Sequence, residues 1–160
     1  MPCYLFTYHA YSSWLPDHRR GYVHRGAGIL APDRRMAERY RGNLKQAIVR
    51  FNRAMQSQLI DGAVDACACQ QLRCHFIATE LTHLHVLASW PSERTWQLVR
   101  RQIRGNITRR LNEVYTRQEW FSKSPSRRRV KDQQHFDYLV NVYLPRHSGL
   151  KWREGRGKFR

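Results

Sequence analysis

Acidic residues are scarce in this sequence. Only 12 Asp and Glu stand against 29 Lys and Arg, which leaves a formal net charge of +17 on 160 residues. So few carboxylates cannot neutralise the chain from within, and self-repulsion of that size is ordinarily relieved by a polyanion. Nucleic acid is therefore the first partner to consider. An anionic membrane surface is the rival. It fits less well, because the basic residues occupy every segment instead of gathering on one amphipathic helix. Long apolar runs are missing too: none approaches the roughly 20 residues of a membrane span. The opening Met1-Pro2-Cys3-Tyr4-Leu5-Phe6 is too short for a signal peptide and has no basic leader. The expectation is a soluble cytoplasmic protein with no membrane partner. Cysteine is sparse, with four residues, and an intracellular chain argues against disulfides. The cluster Cys67-x-Cys69-x4-Cys74, followed by His75, misses the C-x2-C spacing of zinc sites and has no second ligand pair. The bland reading is small buried thiols near the start of a strand. No internal repeat is visible.

What the chain does contain is enough apolar material for a core: 41% hydrophobic residues, with 12% aromatic. The length suits one domain, read here as residues 1–150, followed by a basic and irregular tail, 151–160. Residues 4–11 are aromatic and β-prone and predict a strand. Residues 12–32 carry Trp14-Leu15-Pro16-Asp17, Arg19-Arg20-Gly21, Gly26 and Gly28, a long loop rich in turn residues. Its Trp14, Tyr22 and three arginines, Arg19, Arg20 and Arg25, are suited to gripping bases and phosphates; a hairpin with a solvated tip is the alternative.

Asp33 has the character of a helix cap. Apolar residues then recur at Met36, Tyr40, Leu44, Ile48, Phe51, Met55 and Leu59, which predicts one amphipathic helix of about seven turns. Residues 61–69 read as a connector. Two strands follow at 72–79 and 81–89, with Glu80 near the bend. Ser92 to Thr95 offer caps for a second helix, whose stripe is Trp96, Val99, Ile103, Ile107, Leu111 and Val114. The other faces of that helix carry Arg100, Arg101, Arg104, Arg109 and Arg110. A run of charge is usually a solvated face, but so many arginines with only Glu113 nearby lean toward phosphate binding. The stretch to Arg128-Arg129-Val130 reads as a short last strand, and Asp132 caps a third helix that Pro145 and Gly149 stop. The order predicts an α+β fold: a ferredoxin-like βαββαβ sandwich with an antiparallel sheet, helices on one face and an added C-terminal helix.

Two groups of residues carry chemistry. His83 and His85 lie two apart in a strand, so both imidazoles emerge on one face with Cα atoms roughly 6.5–7 Å apart, close enough to share a cation. The alternative is a pair of half-exposed strand histidines. On a wheel of 100° per residue with Phe136 at zero, Leu139, Val140, Tyr143 and Leu144 fall on one apolar arc. Tyr138 falls at about 200°, opposite it, with Gln134 and Asn141 on the same side. Tyr138 thus reads either as a surface tyrosine or as a nucleophile with a ligand one turn away.

The segment Thr82-His83-Leu84-His85-Val86-Leu87 resembles the HUH motif of the single-tyrosine HUH transposases. The segment His135-Phe136-Asp137-Tyr138-Leu139, continuing to Pro145-Arg146-His147-Ser148-Gly149, resembles the nucleophile helix of the REP-associated tyrosine transposases. Trp14-Leu15-Pro16-Asp17 with Arg20-Gly21 is similar to a loop of that group. The likeness spans about residues 4–150. It implies metal-dependent cleavage and rejoining of single-stranded DNA, often beside a hairpin, through a covalent 5′-phosphotyrosine. It also implies His83 and His85 as ligands of Mg2+ or Mn2+, and Tyr138 as nucleophile. The preference for those ions comes from the family, since imidazoles alone favour softer transition metals. The family often places a third ligand four residues after its tyrosine. Counted from Tyr138 that position is Val142, which cannot ligate, so Asn141 stands in for it and Gln134 is a weaker choice. Tyr143 is a minority nucleophile. Single-stranded or hairpin DNA is the implied partner, contacted by Trp14, Arg19, Arg20, Arg100, Arg101, Arg104, Arg128 and Arg129; a homodimer is left open. The competing readings are a non-catalytic nucleic-acid-binding module and a small zinc-stabilised protein.

Overall fold

The computed structural model describes residues 1–24, 26–91, 93–123 and 125–160. In chain order the elements are β1 (Cys3–His9), β2 (Tyr22–His24), β3 (Gly28–Leu30), α1 (Arg34–Gly42), α2 (Arg53–Cys69), β4 (Arg73–Thr79), β5 (His83–Ser89), α3 (Trp96–Val114), β6 (Ser126–Arg129), α4 (Gln133–Tyr138), β7 (Lys151–Arg153) and β8 (Gly157–Phe159). The main sheet has the order β6-β1-β5-β4-β7-β8, and every neighbouring pair is antiparallel. Its first four strands with α2 and α3 make the expected βαββαβ unit, an α+β fold.

Strand alternation divides the sheet into two faces. Phe6, Tyr8, Leu84, Val86 and Ile77 pack with Leu59, Ile60 and Ala63 of α2 and with Val99, Ile103, Ile107 and Leu111 of α3. The opposite face carries Leu5, Phe76, Ala78 and Leu87, covered by Leu139, Val140 and Leu144 of the last helix. Helices therefore lie on both faces, with the C-terminal helix alone against the second.

Three expectations need correction. The long helix through Met36 and Leu59 is two helices. Residues between them turn their backbone groups to other segments: Val49 N–H donates to Tyr11 O and Phe51 N–H to Leu81 O. Asn52 then starts α2 afresh, its side chain accepting from Met55 N–H. Val49 and Phe51 are buried, so extended chain reproduced a helical spacing by accident. The supposed connector 61–69 is the second half of α2, where Gly62, Ala63 and Ala66 are buried. Small residues there let the helix lie close to α3, and they carry too little hydrophobicity to show as a stripe. The tail is not irregular: β7 pairs with β4, and β8 folds back on β7. Within the 12–32 loop, β2 and β3 form a short hairpin. The caps Asp33, Thr95 and Asp132 are as expected, each accepting from a backbone N–H three residues on. Ser92, the other cap candidate of α3, lies outside the described residues. Cys67 and Cys74 are buried and Cys69 is exposed. No helix among the described residues is long and apolar enough to cross a membrane.

Candidate metal centre

His83 opens β5, and His85 follows on the same face. Across the ladder His9 pairs with His83 and Thr7 with His85. The third imidazole, His147, comes from the far end of the chain. One ligand nitrogen from each of His83, His85 and His147 lies within 4.8 Å of the other two. Ring centroids are 4.8 Å apart for His83–His85, 4.6 Å for His85–His147 and 5.6 Å for His83–His147.

The hydrogen bonds orient these rings. His147 Nδ1 is 3.0 Å from Leu144 O. A carbonyl only accepts, so Nδ1–H donates and Nε2 keeps its lone pair. His85 Nδ1 lies 2.8 Å from the Thr7 hydroxyl, and His83 Nδ1 lies 3.1 Å from that of Thr82. In all three rings Nδ1 is engaged by the protein. His85 Nε2 is buried and has no hydrogen-bond partner, an expensive omission in a folded protein unless something else binds there. Three clustered imidazoles whose Nδ1 atoms are held by the protein is the usual preparation for a divalent metal.

Electrostatics act the same way. Burial, aided by the neighbouring imidazoles, pushes His83 down to about 4 and His85 to about 2. Burial also lowers His9 and His75. An unfolded histidine titrates near 6.5, so below that pH the unfolded chain binds protons that the folded chain refuses. Stability is therefore present above about pH 6.5 and is lost progressively on acidification. Urea melts between pH 8 and pH 5 are expected to show a midpoint that declines below about 6.5. A midpoint that is flat across this window contradicts a cluster of neutral imidazoles.

His147 is seated by a second polar group. Glu80, at the β4–β5 bend, accepts from Ser148 N–H at 2.6 Å and from Ser148 Oγ at 2.9 Å. The buried Gln56 of α2 accepts from Leu150 N–H at 2.9 Å, and Thr79 Oγ1 donates to Leu150 O at 2.6 Å. Gly149 lies so close to this group that a Cβ there would sit 2.0 Å from Thr79 O, a backbone atom. Gly149→Ala is expected to cost about 2–3 kcal/mol by overpacking and to displace His147. A thermal melt checks the first effect and a metal titration the second.

The last helix passes over the cluster. Pro145 has no N–H and its ring crowds the carbonyl of Asn141, four residues back. The helix widens into a π turn over Leu139–Tyr143, with Leu144 N–H donating to Leu139 O, and then closes in a 3₁₀ turn, Leu144–Arg146. Tyr143 thereby points toward the sheet, its ring 5.6 Å from that of His85 and 5.3 Å from that of His147. Tyr138 faces outward and is 45% exposed, its ring 6.4 Å from that of Tyr143. It lines a shallow depression with Arg128, Lys131, Gln134 and His135. Asn141 is exposed and its side-chain oxygen accepts from Arg153 at 3.4 Å. Among the residues expected from sequence, the structure brings together His83 and His85. It adds His147, which sequence reasoning did not select. The clue was available: His147 stands four residues after Tyr143, the minority tyrosine.

The expected DNA contacts fall on several surfaces. Trp14 is 42% exposed, stacked on His18 at 3.9 Å, with its indole N–H on Gly21 O and its edge toward His9. His9 in turn lies 5.9 Å from His83, so this aromatic pair stands beside the imidazole cluster. Arg19 and Arg20 are exposed in the same loop, and Arg25 lies outside the described residues. Arg128 and Arg129 are exposed on the edge strand β6, and the charge of Arg128 reaches His85. Arg100, Arg101 and Arg104 belong to α3, on the other layer of the molecule. Arg100 donates to Pro125 O and lies over Trp96, Arg104 donates to Phe121 O, and Arg101 is exposed. Two of the three are thus engaged by the protein itself.

No protein-family profile and no curated protein matches this sequence. Among solved structures, a REP-associated tyrosine transposase bound to a REP hairpin is similar, with a TM-score of 0.49 and 8% identity over 87% of this chain. The match spans 62% of the length of that structure's chain. A likeness so remote carries no argument, and the functional reading rests on the side chains.

Proposed function

We propose that this protein cuts and rejoins single-stranded DNA through a covalent tyrosine intermediate at a metal centre held by His83, His85 and His147. The observation that carries this reading is the meeting of three imidazoles, one with an orphaned buried nitrogen, and one tyrosine ring. Tyr143 is the nucleophile on this geometry, since its ring lies beside two of the three imidazoles. Tyr138 is the second choice, lying farther out. A divalent ion, when bound, would polarise the scissile phosphate and stabilise its developing charge. Three imidazoles favour a transition ion of the manganese kind over magnesium.

The remaining work belongs to the chain. Tyr143 Oη forms a bond to phosphorus as its proton leaves, and the bond from phosphorus to the 3′ oxygen breaks, with a proton arriving on that oxygen. The 5′ phosphate stays on the tyrosine, and the free 3′-hydroxyl can reverse the step. Because one phosphodiester replaces another, no external energy is consumed. The high positive charge, the exposed arginines of β6 and the Trp14–His18 stack support a flexible single strand as substrate, since stacked bases and phosphates meet such surfaces well. The test is covalent trapping on a denaturing gel, with hairpin-bearing single-stranded oligonucleotides and manganese or EDTA. A manganese-dependent adduct supports the reading. Binding without an adduct for any oligonucleotide in a pool of randomised flanks favours the non-catalytic alternative.

A further inference from the structure

On the helix side of the sheet, the layer opposite the imidazole cluster, a cavity of about 430 Å³ lies between α3 and the segment leading into β6. Thr95, Leu98, Arg100, Arg101, Arg104 and Lys123 line it. Two of its cations are anchored: Arg100 donates to Pro125 O at 2.7 Å and Arg104 to Phe121 O at 3.1 Å. Each guanidinium spends one N–H on its carbonyl and keeps the rest of its fork for another acceptor. Both residues are half-buried, whereas Arg101 and Lys123 are exposed. Among the described residues no carboxylate lines the cavity, and none forms an ion pair with these four cations.

Cations gathered around one hollow repel each other. Burial works against the charge on Arg104, and the neighbouring Arg100 adds to that. The first turns of α3 border the cavity, and the positive end of a helix adds to the same field. An anion held here relieves all three at once. Guanidinium forks suit phosphate oxygens, which they meet in pairs. The arginines at 100, 101 and 104 spread over about 6 Å of helix axis, so a chain of linked phosphates meets more of them than one phosphate does. No aromatic ring lines the cavity among the described residues, so nothing there holds a base by stacking. A duplex backbone is convex and meets exposed side chains first. Arg100 and Arg104 instead sit back in a hollow of the size that small ligands occupy.

We propose that the α3 cavity is a site for a free oligophosphate, a short chain of linked phosphates recognised without regard to any base it carries. Arg100 and Arg104 are its anchored receptors, and Arg101 and Lys123 close on the outer oxygens. The proposal does not depend on the DNA-cutting reading, because the sheet stands between this cavity and the imidazole cluster: α3 packs on one sheet face and the last helix on the other.

The test is isothermal titration calorimetry with inorganic tripolyphosphate, in metal-free buffer at about 0.15 M salt, where distant surface charges are screened. Wild type is compared with Arg101→Ala/Lys123→Ala and with a control of equal charge loss, Arg35→Ala/Arg117→Ala; all four residues are exposed. Affinity is expected to fall about tenfold or more in the first variant and by less than about twofold in the control. Surface substitutions of this kind leave the fold in place, as circular dichroism will check. No detectable binding to wild type, or an equal loss in both variants, overturns the proposal. ATP is the second arm. An affinity within about threefold of that for tripolyphosphate supports recognition of the phosphate chain, and ATP bound about tenfold more tightly overturns it in favour of a nucleotide site. Hairpin DNA is the third arm. Hairpin affinity that falls about tenfold in Arg101→Ala/Lys123→Ala, with tripolyphosphate unable to compete, makes nucleic acid the occupant and overturns the proposal.

Discussion

Tyr143→Phe is expected to abolish the manganese-dependent protein–DNA adduct completely, because phenylalanine keeps the ring and removes the only atom that can bond to phosphorus. Oligonucleotide binding should survive the change within about twofold, since one hydroxyl on a half-buried ring contributes little to a contact made mainly by phosphates. Tyr138→Phe should leave the adduct in place. These two variants separate the tyrosines cleanly. An adduct lost in Tyr138→Phe and kept in Tyr143→Phe would move the chemistry outward along the helix, to the depression beside Arg128 and Lys131. Peptide mapping of the trapped species identifies the modified residue independently.

His147→Ala is expected to remove the effect of metal on the fold. A ligand that binds only the folded chain stabilises it by about 2.7 kcal/mol at a hundred times its dissociation constant. For a chain of this size that raises the melting temperature by roughly 5–10 °C. Manganese titrated into the wild-type protein should produce this rise, and His147→Ala should show little of it. His83→Ala and His85→Ala should behave the same way. A metal-induced shift that persists in all three variants would place the ion elsewhere.

Much of the fold could be read from the sequence. The alternation in β4 and β5 and the caps at Asp33, Thr95 and Asp132 are local signals, and the local backbone obeys them. What could not be read depends on distant partners. The break between α1 and α2 is made by Tyr11 and Leu81 accepting from Val49 and Phe51, and no periodicity reports such pairings. The strands β7 and β8 are three residues each, too short to alternate visibly, and exist because the edge of β4 was open. The helical wheel placed Tyr143 on the arc toward the sheet, where it lies. What the wheel cannot show is that the sheet beneath that arc carries His85 in place of an apolar core residue. A search for chemistry on the solvent face of the helix therefore led to Tyr138 and Asn141, while the imidazole cluster sits underneath.

His83 and His85 come from one strand, but His147 is held beside them by distant contacts, β7 on β4 and Ser148 on Glu80. The third imidazole of the cluster is consequently supplied by the C-terminal part of the chain. A chain cut back to Arg146 keeps His83 and His85 but lacks the third member of the cluster. Peeling β7 from β4 would free the segment that carries His147 and would strip Leu150 and Trp152 from the edge of the main core. The pairing of three residues near the sheet edge thus decides whether the imidazole cluster is complete.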